Sequence, residues 1–169
     1  LAMIYLYGIY TPRDINKSIF YFELAANQNN SDAQYNLGLI YYEGMHIKKN
    51  INKAINYFKL AANQNHSEAQ LYLGFIYYKG KYSALDMNKS IFYFTLAANQ
   101  NNSSAQFTLG LIYFYDEHVP RNIDKSIYYL TLAANQNNSA AQLYLGTIYF
   151  TGLCVEKNIY KGIDYINQA

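Results

Sequence analysis

A single cysteine, Cys154, stands in the 169 residues, so the chain has no internal disulfide framework, and no Cys/His set has zinc-binding spacing. One thiol fits a reducing compartment or a simple absence of need. Charge of one sign is equally scarce: thirteen Lys/Arg against eleven Asp/Glu, interspersed, leave a formal charge of +2. Such a balance implies neither a nucleic-acid footprint nor a basic block that seeks membranes. Apolar residues make up 51% of the chain but form no run long enough to span a bilayer. The composition is that of a soluble chain with a substantial core. Asn-x-Ser sequons at Asn16, Asn29, Asn65, Asn88, Asn101, Asn102 and Asn137 crowd into tight turns, so they read as composition, and the cytoplasm is favoured.

Converging catalytic groups are missing too. There is no nucleophile with a base, no carboxylate pair, no phosphate-cradling glycine loop and no metal-ligand cluster, so neither enzyme activity nor a cofactor nor a metal is expected. His46, His66 and His118 occupy unrelated loop or turn positions and read as surface histidines. "YDEHVP" (115–120) gathers Asp116, Glu117 and His118, which reads as a solvated loop in preference to a chelating one. Cys154 reads as an inert or oxidisable thiol.

What is present is repetition. "LAANQNNSDAQ" at 24 returns with small changes at 60, 96 and 132, a constant interval of 36 residues, and a period of this length marks stacked supersecondary units. Within residues 31–66, Ala33, Leu37, Ile40 and Tyr41 follow the i, i+4, i+7, i+8 spacing of one helix face, and Ile51, Ile55, Phe58 and Ala62 repeat it. Each repeat is therefore a helix A followed by a helix B. Counted along the chain, five pairs result, with repeats at about 1–30, 31–66, 67–102, 103–138 and 139–169 forming one array. Both termini fall inside repeats, so the chain reads as a segment of a longer protein.

The Asn-rich centre reads as stop, turn, start. Asn29, Asn65, Asn101 and Asn137 suit a left-handed stop after helix B. Ser31, Ser67, Ser103 and Ser139, each followed three residues later by Gln, match a capping box. Asp14, Asn50, Asp86, Asn122 and Asn158 are expected N-caps of helix B. Lys17, Lys53, Lys89, Lys125 and Lys161 follow in the first turn, where the helix dipole disfavours a cation by a few tenths of a kcal/mol. A stem laid over apolar neighbours or an ammonium at the end of another helix are two possible compensations. Gly38, Gly74, Gly110 and Gly146 sit mid-helix at a cost of about 1 kcal/mol each, which predicts close helix approach, with the Ala-Ala pairs of helix B as expected partners. Gly44, Gly80 and Gly152 are expected to end helix A; Asp116 replaces them once, so that loop should be irregular. In the first repeat, aligning Ala2, Leu6, Ile9 and Tyr10 with Ala33, Leu37, Ile40 and Tyr41 puts Gly8 one place off the mid-helix glycine and makes the A–B loop five residues shorter.

"AQYNLGLIYYEG" followed by "INKAINYFKLAANQN" resembles the Sel-1-like repeat, a relative of the tetratricopeptide repeat, and the resemblance covers essentially the whole chain. It implies an all-α fold, a right-handed superhelical α-solenoid of antiparallel helix pairs, and a scaffold for protein–protein interaction. The family's Trp in helix B is Tyr or Asn here, its Gly-x-Gly loop keeps only the first Gly, and its C-terminal Gly is Asn. Binding residues are not a shared motif in such scaffolds, so the surface has to be sought in this chain.

Comparing the repeats with one another separates the positions dictated by packing from those left free. Positions 33, 37, 40 and 41 and their equivalents never change, whereas 32, 36, 39 and 43 vary in chemistry and, at i, i+4, i+7, i+11, form one stripe on helix A. The candidate partner-binding residues on this stripe are Asp32, Asn36, Leu39, Glu43, Glu68, Tyr72, Phe75, Lys79, Thr108, Tyr115 and Tyr144. In a superhelix the A helices line the concave side, so a peptide or protein is the expected partner. Plain solvent exposure explains the variation equally well at any one position. A rival surface on helix B carries Phe20, Phe92 and Tyr128. Nucleic acid is not expected as a partner, because Lys79 is the stripe's one cation against Asp32, Glu43 and Glu68. A structural spacer in a larger protein is the main alternative, and uncapped ends allow end-to-end self-association.

Overall fold

The asparagine at each turn sets the fold's local geometry. In the computed structural model, which describes residues 1–44, 47–80 and 85–169, Asn29, Asn65, Asn101 and Asn137 all adopt the left-handed conformation, with φ between 59° and 61°. The amides of Asn29 and Asn30 then donate to the carbonyls of Ala26 and Ala25, a nested pair of bonds that closes the end of a helix. The chain reverses within a few residues, and the next helix begins.

Ten helices result among the described residues, and no strand. They are α1 (Ala2–Tyr7), α2 (Ile15–Ala26), α3 (Ser31–Glu43), α4 (Ile51–Asn63), α5 (Ser67–Lys79), α6 (Met87–Asn99), α7 (Ser103–Tyr115), α8 (Ile123–Ala134), α9 (Ser139–Thr151) and α10 (Ile159–Gln168). Two compact parts divide them, Leu1–Ala84 with α1 to α5 and Leu85–Ala169 with α6 to α10. Inside each part every helix packs on its chain neighbour, and in the first part α3 also touches α5. Contacts within a pair run in opposite order: Tyr41 meets Tyr57, Gly38 faces Phe58, and Gln34 receives a hydrogen bond from Gln64, so α3 and α4 are antiparallel. His46 lies outside the described residues.

The helix B caps are as expected: Asp14, Asn50, Asp86, Asn122 and Asn158 each accept a hydrogen bond from the lysine amide three residues on. The capping box is not. Helices α3, α5, α7 and α9 are capped one residue earlier, by Asn30, His66, Asn102 and Asn138, whose side chains accept from Ala33, Ala69, Ala105 and Ala141. The serines thereby become first-turn residues, and the glutamine, one position too far along to reach back, is free to turn inward.

Inward it is buried. Gln34, Gln70, Gln106 and Gln142 are at most 2% exposed, and each Nε2 donates to the carbonyl of the second alanine of the pair in the preceding helix B, at 3.0–3.2 Å. Gln64 and Gln136 close a further bond, at 2.7 Å, onto the Oε1 of Gln34 and Gln106.

The lysines of helix B find their compensation in aromatic rings. Lys17, Lys53, Lys125 and Lys161 hold their ammonium groups over Tyr5, Tyr41, Tyr113 and Tyr149, 3.9–5.2 Å from the ring centres. Cation–π attraction of about 0.5–1 kcal/mol outweighs the few tenths lost to the helix dipole. Those tyrosines also stack nearly parallel on Tyr21, Tyr57, Tyr129 and Tyr165.

These contacts correct the alignment of the first repeat. Tyr5 does there what Tyr41 does in the next one, down to the bond from the Asp14 amide to its carbonyl, and Gly8 is the left-handed cap of α1, equivalent to Gly44. The interval is therefore 36 residues from the first repeat onward, the loop is not shortened, and α1 corresponds to the C-terminal half of a helix A. Gly80 and Gly152 are left-handed caps as well, while Asp116 leaves α7 in an extended conformation and its carboxylate accepts from the His118 amide.

The mid-helix glycines have different partners from those expected. A Cβ on Gly38 would stand 2.5 Å from the Phe58 ring, one on Gly110 would stand 2.6 Å from Leu130, and one on Gly146 would stand 2.5 Å from Ile166. One large side chain of helix B occupies the space, in α4 and α8 three residues before the alanine pair. Gly38→Ala should therefore lower stability by about 1–2 kcal/mol, the roughly 1 kcal/mol gain in helix propensity being outweighed by overpacking. A lower urea midpoint is the check, and an unchanged or higher one contradicts the packing argument.

Candidate functional site

With Ala33, Leu37, Ile40 and Tyr41 turned into the core of the first part, the remaining face of α3 is left at the surface together with that of α5. Asp32, Glu43 and Lys79 are exposed there; Asn36, Leu39, Glu68, Tyr72 and Phe75 are half-buried. Asn36 donates from Nδ2 to the Asp32 carbonyl at 2.7 Å, which ties it to its own helix. Lys79 lies 5.9 Å above the Phe75 ring.

Tyr72 has two roles. Its ring stacks on Phe58, 5.1 Å between centres, and meets Tyr35 and Tyr42 edge-on at 6.0 and 5.7 Å, so it carries repeat-to-repeat packing as well as strip surface. Burial raises its phenol above the usual tyrosine range, and the nearby carboxylates of Glu43 and Glu68 push the same way. Tyr35 is raised as well, by burial first and then by Tyr72 and Glu68. Tyr35, Tyr42, Glu68, Leu71, Tyr72, Phe75 and Lys79 enclose a cleft of about 310 Å³.

His66 is not a bystander of this surface. Its ring caps α5 by accepting the Ala69 amide on Nδ1, stacks on Tyr35 at 4.5 Å between centres, and points Nε2 at the Asp32 carboxylate, 3.3 Å away. Repeat comparison held the signal: His66 stands where the other repeats have Asn30, Asn102 and Asn138. Tyr35 and Tyr42, outside the predicted stripe, also border the cleft.

In the second part α7 and α9 present a different strip. Thr108, Thr147 and Thr151 donate their hydroxyls to carbonyls four residues back in their own helices. Tyr115 is 62% exposed, Tyr144 is 36% exposed, and their rings lie 6.3 Å apart, with Phe107 edge-on to Tyr144. Tyr115, Leu143, Tyr144, Thr147, Ile148 and Leu153 line a cleft of about 250 Å³ without any charged group. Ser104 and Ala140 complete an uncharged strip. The structure thus brings Glu68, Tyr72, Phe75 and Lys79 together in one cleft and Tyr115 and Tyr144 in another; Asp32, Asn36, Leu39, Glu43 and Thr108 line neither.

On helix B, Phe20, Phe92 and Tyr128 are each more than half exposed. Among the described residues no three His, Cys, Asp or Glu side chains gather as a metal site would require. His118 is 3.8 Å from Glu117, and Cys154, exposed, lies 3.0 Å from an Arg121 guanidinium nitrogen. No described helix is long and apolar enough to cross a membrane.

The geometry has relatives. The family model described as Sel1 repeat matches five times, over residues 1–30, 31–66, 67–102, 103–138 and 139–169. A Sel1 repeat protein from Oxalobacter formigenes is 27% identical over 99% of this chain, which spans 68% of that protein, and superposes with a TM-score of 0.90. A protective antigen present in uropathogenic Escherichia coli strains, displaying an SLR fold, is 31% identical over 99% of this chain, with a TM-score of 0.87. The chain spans only 36% of that second protein. An immunity protein of Pseudomonas aeruginosa shares the fold at 17% identity, with a TM-score of 0.54. Among curated protein sequences none matches.

Proposed function

Since the chain belongs to the Sel1 repeat family, whose members are in general protein–protein interaction scaffolds, we propose that it acts without catalysis and presents the strip of its A helices to a peptide or protein partner. In the superhelix expected of the family this strip is the concave side. The observation that carries the reading is the contrast along helix A: positions that pack are the same in every full repeat, and the strip beside them changes its chemistry. Two clefts lie on that strip, each framed by aromatic side chains. Rigid tyrosine and phenylalanine surface gives contact area at low entropic cost. The five matched repeats abut without a gap, which supports a single array over residues 1–169.

The test is capture of partners from the source cell by the native chain and by a variant carrying Tyr72→Ser, Phe75→Ser, Tyr115→Ser and Tyr144→Ser. Because Tyr72 also packs on Phe58, a second variant keeps Tyr72 and changes the other three, and each must show native helical circular dichroism. The reading expects a specific partner to be held by the native chain and lost by both variants. Equal capture by all three moves the site to the Phe20, Phe92, Tyr128 face of helix B; no capture favours a structural spacer.

Self-association is a second reading. Leu143 and Phe150 of α9 and Ile159, Ile163 and Ile166 of α10 are all more than two-fifths exposed, whereas Leu71, the equivalent of Leu143, is buried. Contact between copies through this apolar face predicts a sedimentation mass that rises with concentration; a constant monomer mass removes it.

A further inference from the structure

The cap of α5 differs in kind from those of its equivalents. Asn30, Asn102 and Asn138 cap α3, α7 and α9 through an amide oxygen, which does not titrate near neutral pH, whereas α5 is capped by a ring nitrogen of His66. The Ala69 amide can only donate to that nitrogen, so Nδ1 holds a lone pair and the neutral ring carries its proton on Nε2. Nε2 in turn points at the Asp32 carboxylate of α3, 3.3 Å away. One imidazole thus serves two helices, and both contacts select the same tautomer.

The ring is also fixed in place. It stacks on Tyr35, and its side chain is 14% exposed, against 83% for Asp32. The titratable groups around it are Asp32 and Tyr35 of α3 and Glu68 and Tyr72 of α5; Tyr21 of α2 lines the same cavity, Leu1, Ala2 and Met3 bring no titratable side chain to it, and the last turn of α4 has no basic residue. Burial holds the Tyr35 and Tyr72 phenols above the usual tyrosine range, so the carboxylates of Asp32 and Glu68 are the charged neighbours. Protonation of the ring consumes the Nδ1 lone pair. A new N–H would then meet the Ala69 N–H donor to donor, and the helix dipole disfavours a cation at this end. The Nε2–H keeps its place against Asp32, where the contact becomes a charge-assisted one.

We propose that His66 is a pH-sensitive joint between α3 and α5: neutral, it caps α5 and holds Asp32 at once; charged, it keeps Asp32 and releases the first turn of α5. The asparagine caps of α3, α7 and α9 give those helices no such response. Acid therefore loosens one helix start and leaves its equivalents closed. The joint goes beyond the binding reading and does not depend on which surface meets a partner.

The test is nuclear magnetic resonance of the whole chain across a pH titration. Nitrogen-15 shifts of the imidazole report its tautomer and its charge, and amide hydrogen exchange, corrected for its intrinsic dependence on pH, reports the cap. With the ring neutral, the proton is expected on Nε2 and the Ala69 amide is protected, as those of Ala105 and Ala141 are. With the ring charged, protection at Ala69 should fall by about fivefold, as for a lost cap, while Ala105 and Ala141 keep theirs. His66→Asn, which installs the cap of the other repeats, should make protection at Ala69 independent of pH. A neutral ring protonated on Nδ1, an Ala69 amide that stays protected once the ring is charged, or the same pH-dependent loss in His66→Asn overturns the joint.

Discussion

A primary amide buried in the same place in four repeats joins each helix A to the preceding helix B by a hydrogen bond. Gln34 donates to the final carbonyl of α2 and accepts from Gln64 at the end of α4; Gln106 does the same between Ala98 and Gln136. A primary amide buried without partners costs about 1–3 kcal/mol, so the glutamine must find its own. It finds one at an alanine carbonyl that already accepts the amide of Asn29, Asn65, Asn101 or Asn137, and because its side chain has a fixed reach it also fixes how far each helix A sits along the preceding helix B. Apolar packing is non-directional and would tolerate a slip; a bond at 3.0–3.2 Å does not.

From that register the rest follows in order. With Gln34 anchored at one end of the helix pair, Gly38 comes opposite Phe58 and Tyr41 opposite Tyr57 and Lys53, so the small, large and charged residues of the two helices meet in sequence. The lysine–tyrosine contact then settles the first-turn cation, and the same set of contacts places the strip beside the core-facing positions. Surface chemistry can drift from repeat to repeat because none of these bonds runs through it. Tyr72 is the exception, since it supplies both strip surface and repeat packing, and the cleft it borders is the most constrained part of the surface.

The period, the helices, the helix B caps and the left-handed asparagines were legible in the sequence because each depends on local chemistry repeated at a fixed interval. What sequence reasoning misplaced depends on reach across helices. Serine followed by Gln34 has the spacing of a capping box, but Asn30 caps first, and only the position of the Ala26 carbonyl reveals what the glutamine holds. The alanine pairs looked like partners for the mid-helix glycines because both are small; the space in fact belongs to Phe58, Leu130 and Ile166. Gly8 was misaligned for want of the Tyr5–Lys17 contact that shows its place. Of the strip, exposure and periodicity were readable, whereas the grouping of Glu68, Tyr72 and Phe75 with Tyr35 and Tyr42 needs the packing of α3 on α5.

The measurement that bears most directly on the register is a double-mutant cycle on Gln106→Ala and Gln136→Ala, read by chemical denaturation. The account predicts a loss of about 2 kcal/mol or more for Gln106→Ala, which removes the buried bonds to Ala98 and Gln136 together and leaves a cavity, and a coupling energy of about 1 kcal/mol between the two changes. Losses that simply add, with Gln106→Ala costing no more than a surface substitution of about 0.5 kcal/mol, would show that apolar packing alone holds the repeats in place.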